Sequence, residues 1–177
     1  MSYVAGFRRC AWMIAVLALA AACMFSGCAG YSVGSMLPGN IKTVFVPNLT
    51  NQTGEPDIEN MATDALIEEF QKDGTLDIAG PENADAVLVV TLTSVELKPL
   101  QYSKTKSTEV SEYRLTLFAN MKLKERVTGK TLVEYTRVSG KTSFELLGDF
   151  ATAKEEAIPD ASKDLAHQIV TRMVEAW

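Results

Sequence analysis

The cysteine at position 28 is the residue whose chemistry is best defined by its neighbours. It follows two small residues, Ser26 and Gly27, after an uncharged apolar run over residues 11–22 that two arginines precede. A run of this length is typical of the hydrophobic segment of a secretory signal peptide. Small residues before a cysteine at its end are typical of the site where bacteria attach diacylglycerol to the thiol. We therefore predict that Cys28 is lipidated and becomes the N-terminus after cleavage.

Other interpretations of this segment remain open. Cys23, which follows two alanines, is a competing site, and an ordinary signal peptide or a plain anchor helix would need no lipidated cysteine. Cys28 is favoured because it leaves a fuller apolar run before it. We expect a signal peptide over residues 1–27, a lipidated tether over 28–40 and a single domain over 41–177. The mature chain then keeps one acylated cysteine, so neither a disulfide nor a cysteine metal site is expected.

Side chains suited to catalysis are scarce. His167 is the only histidine, and neither a Gly-x-Ser-x-Gly elbow nor a glycine-rich phosphate loop accompanies it. A hydrolase would have to use His167, which falls on a predicted helix and is better explained as a surface or partly packed residue. We expect no enzymatic activity, no metal and no cofactor, and a lipoprotein hydrolase is the least favoured alternative.

Cations near one loop and along one strand could bind phosphate groups. Lys104 and Lys106 precede a strand-like segment that carries Arg114, and Lys122 and Lys124 follow at alternate positions. Ammonium and guanidinium groups are the usual donors to phosphate oxygens, including those of lipid headgroups. The alternative is an ordinary strand face with solubilising lysines.

The overall charge limits the kinds of partner. The chain has 17 basic and 22 acidic residues, a formal net charge of −5. Nucleic-acid binding needs a basic surface that neutralises phosphates, so a nucleic-acid partner is not expected. Acyl chains on Cys28 would instead hold the protein on a membrane without a spanning helix.

Hydrophobic periodicity predicts both helices and strands. The apolar spacing is helical over residues 57–73 and again over 149–177. Gly74 is expected to end the first helix, and Pro159 either kinks the second or marks the start of its regular part. Runs typical of strands lie at 41–47, 76–79, 86–97, 113–123 and 131–144, the last two forming a hairpin.

The simplest architecture is an α+β fold in two layers. A mostly antiparallel sheet of four to five strands would have both helices packed on one face. The polar segments 48–56 and 99–109 would connect the elements. The other face would be left for solvent or a partner, and it would carry Arg114, Thr116, Phe118, Asn120, Lys122 and Lys124.

A set of short motifs follows the predicted lipidation site in a fixed order. Gly30-Tyr31 comes first, and then LPGNIKTV at 37–44, VPN at 46–48, NQT at 51–53, ALIEEF at 65–70, ADAVL at 84–88 and EYRL at 112–115. In this order they resemble the lipopolysaccharide-assembly lipoprotein family LptE, whose members commonly open with Cys-Gly-Tyr, here with Ala29 inserted. The resemblance covers essentially the whole mature chain.

The resemblance implies an outer-membrane lipoprotein that sits as a plug within a large β-barrel, LptD. The pair would insert lipopolysaccharide into the outer leaflet, with this domain facing the periplasm or lying in the barrel lumen. Lys106, with Lys104 and Arg114 nearby, lies where such a family could offer cations to lipid A phosphates. The ADAVL and EYRL segments also resemble those of other periplasmic domains of similar layout. The second hypothesis is therefore an adaptor that activates a cell-wall synthase or builds a secretion channel.

Overall fold

The computed structural model describes residues 41–102 and 110–175. Within them, six strands form one sheet that carries two helices. The strands are β1 (Thr43–Phe45), β2 (Thr50–Asn51), β3 (Asp77–Ile78), β4 (Ala86–Tyr102), β5 (Val110–Glu125) and β6 (Thr131–Glu145), and the helices are α1 (Ile58–Asp73) and α2 (Phe150–Glu175). The predicted α+β fold is confirmed, with six strands where four or five were expected.

Two long antiparallel ladders make up most of the sheet. The strand order is β3-β1-β4-β5-β6, and β2 pairs with β4 outside this path. β4 and β5 pair antiparallel, as do β5 and β6, whereas the short strands β1, β2 and β3 make parallel pairs. A short turn can join only antiparallel neighbours, and the parallel strands β1 and β4 are therefore joined through α1 and β3.

The alternation along β5 decides which face of the sheet is buried. Its inward residues are fully buried, and they are Leu115, Leu117, Ala119, Met121 and Leu123. The residues between them are exposed or half-buried. The inward residues join one core with side chains from both helices, including Phe70 of α1 and Ile169 of α2. Both helices therefore lie on this face, and we call the opposite one the open face.

Helix α1 ends where the sequence predicts. Gly74 has a positive φ of 71°, and its N–H donates to the Phe70 carbonyl at 3.0 Å. This is a left-handed C-cap, which glycine adopts without the steric cost of a Cβ.

Helix α2 runs from Phe150 to Glu175 with Pro159 inside it. Of the two alternatives for Pro159, a helix whose regular part begins there is therefore wrong, and a kink at Pro159 stays a prediction. Asp149 precedes the helix, and its carboxylate accepts the Thr152 backbone N–H at 3.0 Å and the Thr152 hydroxyl at 3.1 Å. The same bonds lower the pKa of Asp149, because they stabilise its charged form.

Two segments predicted to be connections contain strand. β4 continues past its apolar run to Tyr102, since Pro99 pairs with Tyr113 and Tyr102 pairs with Val110. The segment 48–56 contains β2, which is only two residues long and pairs with β4. In both places pairing with a neighbouring strand of the sheet overrides the polar local composition.

Candidate functional site

The open face places two cations directly opposite one another at one end of the long hairpin. Arg114 on β5 is exposed and lies opposite Lys98 on β4, with Ser143 of β6 on its other side. Like charges at opposite positions repel. Among the residues that the structure describes, no carboxylate lies within 4.0 Å of either cation. This Lys98–Arg114 pair is suited to bind an anion because both cations are exposed at opposite positions on one face, and Lys98 is a candidate that sequence reasoning missed.

Acidic residues lie on both sides of the Lys98–Arg114 pair. Towards the β4–β5 connection, Glu112 pairs with Glu145 across the β5–β6 ladder. Towards the middle of the sheet, Glu96 lies 3.2 Å from the Arg137 guanidinium. Glu112 and Glu145 therefore oppose an anion on their side of the pair, whereas the charge of Glu96 is compensated by Arg137.

A β-bulge directs Arg137 onto the open face. Thr136 and Arg137 together oppose Asn120, and Arg137 has a φ of 56°, which is uncommon for a residue with a side chain. Its N–H donates to Asn120 Oδ1 at 2.9 Å, and its guanidinium lies 4.2 Å from the centre of the Phe118 ring. The stacked guanidinium covers Phe118, which explains why an aromatic residue stands on the polar side of β5.

The cations at the other end of the open face are less available. Lys122 pairs with Glu134 at 2.9 Å, both half exposed, and Lys124 is half-buried opposite Val87. An exposed ion pair of this kind contributes little to stability, but it neutralises Lys122 as a phosphate ligand.

His167 lies in a groove of about 310 Å³ between the two helices. Its Nδ1 is 2.8 Å from the Glu69 carboxylate. The groove is lined by Ala65, Glu68, Glu69, Lys72, Lys163, Asp164 and His167. None of these side chains is a hydroxyl or thiol nucleophile, so the groove lacks the parts of a hydrolytic triad.

Asp85, the second residue of the ADAVL motif, ties β1 to β4. Its Oδ2 accepts the backbone N–H of Lys42 at 2.9 Å, the N–H of Thr43 at 3.0 Å and the Thr43 hydroxyl at 2.9 Å. The Lys42 N–H and the Thr43 hydroxyl are the main causes that lower the pKa of Asp85, with a smaller contribution from the positive charge of Arg126. The motif therefore has a structural role.

The VPN and NQT motifs form a second polar network. The Asn51 amide donates to the Glu55 carbonyl at 2.7 Å and to the Glu59 carboxylate at 2.8 Å. The Thr63 hydroxyl, which is buried, lies 2.8 Å from Asn48 Oδ1 and accepts the Leu49 N–H at 3.1 Å. These bonds hold the loop around β2 on the first turns of α1.

The remaining predicted site residues lie outside the described residues. They are Cys28, Lys104 and Lys106. Of the three predicted phosphate ligands, the structure therefore locates Arg114 alone. The described helices include none that is both long enough and apolar enough to cross a membrane. Nor do residues 41–102 and 110–175 contain three or more acidic, histidine or cysteine side chains grouped to hold a metal.

Comparison with known families decides the relationship of this chain. The model of the lipopolysaccharide-assembly family LptE matches residues 41–173, which is most of the chain. The chain belongs to the LptE family. LptE proteins are lipoproteins without enzymatic activity that work with the lipopolysaccharide transport machinery. The predicted family is thus confirmed, and with it the general role of an envelope lipoprotein in lipopolysaccharide assembly.

Solved structures share the LptE-family fold at low sequence identity. A minor lipoprotein from Acinetobacter baumannii is 14% identical, with a TM-score of 0.50 over 77% of this chain and 94% of its own. A DUF330 protein from Xanthomonas campestris is 11% identical, with a TM-score of 0.50 over 76% and 84%. The hypothetical protein CT253 from Chlamydia trachomatis is 9% identical, with a TM-score of 0.50 over 76% and 96%. At these identities the likeness concerns the fold alone. No curated protein matches the chain.

Proposed function

We propose that this protein is the plug and assembly partner of an LptD-like β-barrel in the outer membrane. The observation that carries the proposal is the LptE family match over residues 41–173. The fold supports it, because a sheet with helices on one face only leaves its other face for a partner. The work of such a plug is binding and assembly, and we propose that the protein has no catalytic activity of its own.

The proposed contact with lipopolysaccharide is made by cations around the β4–β5 connection. Arg114 lies on the polar side of β5, Lys98 lies opposite it, and Lys104 and Lys106 belong to the connection between the two strands. Cations so close in sequence can bind the phosphates of one lipid A headgroup together, because lysine and arginine donate charge-assisted hydrogen bonds to phosphate oxygens.

The proposed membrane attachment is a lipid anchor on Cys28. Residues 1–27 would be removed as a signal peptide, residues 28–40 would serve as the tether, and the folded domain would begin at residue 41. Acyl chains together bind a bilayer stably without any spanning segment. The domain would then face the periplasm or lie within the barrel lumen.

The partner is tested by isolating the acylated protein from detergent-solubilised outer membranes and identifying bound proteins by mass spectrometry. We expect one large β-barrel in a one-to-one ratio. Recovery of a cell-wall synthase, or of the protein alone as a ring, would contradict the proposal and favour the adaptor hypothesis.

The lipopolysaccharide contact is tested by charge reversal. We expect Lys98→Glu, Lys106→Glu and Arg114→Glu each to weaken lipopolysaccharide binding by roughly ten-fold, the scale of one lost charge-assisted hydrogen bond. Lys130→Glu is the matched control, because Lys130 is exposed in the turn at the opposite end of β5. Equal losses in all four variants would indicate a general charge effect and would exclude a site at this end of the sheet.

A further inference from the structure

The outer edge of β6 directs hydrogen-bonding groups away from the sheet. β6 is the last strand in the order of the sheet. The Leu146 N–H, just past its end, donates towards β5, to the Ser111 carbonyl at 2.9 Å. The Lys141 N–H points the other way and donates to the Asp164 carboxylate at 2.7 Å. Because backbone groups alternate in direction along an antiparallel strand, the odd-numbered residues from 141 to 145 face outwards.

The fold protects part of this edge and leaves the rest open. The bulge at Arg137 interrupts the regular edge, and Asp164 caps the N–H of Lys141. Within residues 41–102 and 110–175, no hydrogen bond caps the outward N–H and C=O of Ser143 or the N–H of Glu145. Edge groups of this kind are a template for an additional strand.

A groove of about 150 Å³ runs beside this open part of the edge, between β6 and α2. Its lining residues are Thr142, Ser143, Phe144, Glu145, Ala153, Glu156, Ala157 and Asp160. Two alanines leave room there for the side chains of an added strand. The lining contains three carboxylates and no cation, although Lys163 lies 3.4 Å from Asp160.

We propose that the edge of β6 at Ser143–Glu145 binds an extended segment of a partner protein as an added β-strand. Alternate side chains of this segment would face α2, and we infer that they are lysine or arginine, because the groove offers Glu156 and Asp160. A second copy of β6 fits less well. Antiparallel edge pairing would place both α2 helices on the same side of the seam, with their carboxylates facing one another.

The probe for this edge is an eight-residue peptide of alternating lysine and valine, added to the purified full-length acylated protein in detergent. Its control replaces every lysine with glutamate. We expect the lysine peptide to slow hydrogen exchange at the Ser143 and Glu145 amides by at least about ten-fold at saturation. The glutamate peptide should bind at least ten-fold more weakly.

Two sets of variants distinguish strand pairing at the β6 edge from a general electrostatic attraction between the peptide and the protein. Ser143→Pro removes the outward N–H, which an edge strand tolerates because that group bonds to nothing inside the sheet. It should abolish the protection of the Glu145 amide, which is the one of the two that the variant keeps, whereas Ser143→Thr should retain the protection of both amides. The double variant Glu156→Lys with Asp160→Lys leaves β6 intact and should reverse the preference to the glutamate peptide.

Three outcomes would overturn the proposal. One is the absence of protection by the lysine peptide, and another is equal binding of both peptides. The third is protection of Ser143 that appears without peptide and grows with protein concentration, since the occupant would then be a second copy of this chain.

Discussion

Asp85 is a single residue on which three segments of the chain converge. Its carboxylate binds the start of β1, its N–H donates to the Thr43 hydroxyl, and its carbonyl accepts the Arg126 N–H at 2.9 Å. Arg126 also donates from Nε to the Ala84 carbonyl. The motif that carries part of the family resemblance is thus explained by strand assembly.

We expect Asp85→Asn to lower the free energy of unfolding by about 1 kcal/mol at neutral pH, because a neutral amide accepts weaker hydrogen bonds than a carboxylate. The pKa of Asp85 is lowered from its ordinary value of 3.8. Its contribution is therefore complete above that value and is lost as the pH falls through the lower pKa of the folded state. Urea unfolding of both proteins between pH 7 and pH 3 measures this difference, which should shrink below pH 4. Asp77→Asn is the control, and an equal pH dependence there would contradict the assignment.

Gly140 is a residue of β6 whose backbone α2 approaches closely. A Cβ at this position would lie 2.2 Å from the Leu165 nitrogen and 2.3 Å from the Ala161 oxygen, both backbone atoms. We expect Gly140→Ala to destabilise the protein by about 3 kcal/mol, at the upper end for overpacking, since the helix must shift as a unit. Thermal unfolding checks this. Gly148→Ala, with open space around its Cβ, should change little, and similar midpoints for the two variants would refute the prediction.

Among the elements, β5 and α1 could be predicted from sequence because each buries one side only. The alternation from Leu115 to Leu123 matches the buried positions of β5, and Gly74 ends α1 as expected. β2 and the last residues of β4 could not be predicted, since their strand structure depends on pairing with another strand and their own composition gives no strand pattern.

The candidate site was predictable only in part for the same reason. Arg114 lies on the exposed side of β5, as its alternation indicates. Its neighbour Lys98 follows from the β4–β5 register, which a bulge between Leu92 and Ser94 shifts by one residue. Arg137 reaches the open face through a second bulge and a positive φ, for which no residue pattern gives a signal.

Pro159 is the residue of α2 whose replacement should strengthen that helix. Proline has no N–H to donate to the carbonyl four residues earlier, and its ring crowds that turn. We expect Pro159→Ala to raise the free energy of unfolding by about 1 kcal/mol, after allowing for the greater freedom of the unfolded chain. Urea denaturation measures this change, and the slope of the unfolding free energy against urea concentration should stay the same in both proteins. A loss of stability would mean that packing of the proline ring outweighs the missing hydrogen bond.

In the whole molecule, the described core is formed by residues between Ile41 and Met173. Cys28 lies outside that range. We therefore expect Cys28→Ala to leave the circular dichroism spectrum and melting temperature unchanged but to release the protein from membranes. Cell fractionation and intact mass measure the two effects. Cys23→Ala is the matched control, and loss of acylation in that variant alone would move the lipidation site to Cys23.

The length of the β4–β5 hairpin fixes how far the Lys98–Arg114 pair lies from the start of the sheet at β1. The described chain enters the sheet at β1, beside Ala86, while the Lys98–Arg114 pair lies towards the opposite end of the same ladder. At roughly 3.4 Å per residue, about 40 Å of strand separates Ala86 from Lys98, more than the hydrocarbon thickness of a bilayer. The hairpin thus holds the Lys98–Arg114 pair at a fixed distance from the point where the chain enters the sheet. This distance can be shortened only in steps of two residues per strand. Deleting two residues from each strand is the smallest change that leaves every remaining side chain on its original face of the sheet.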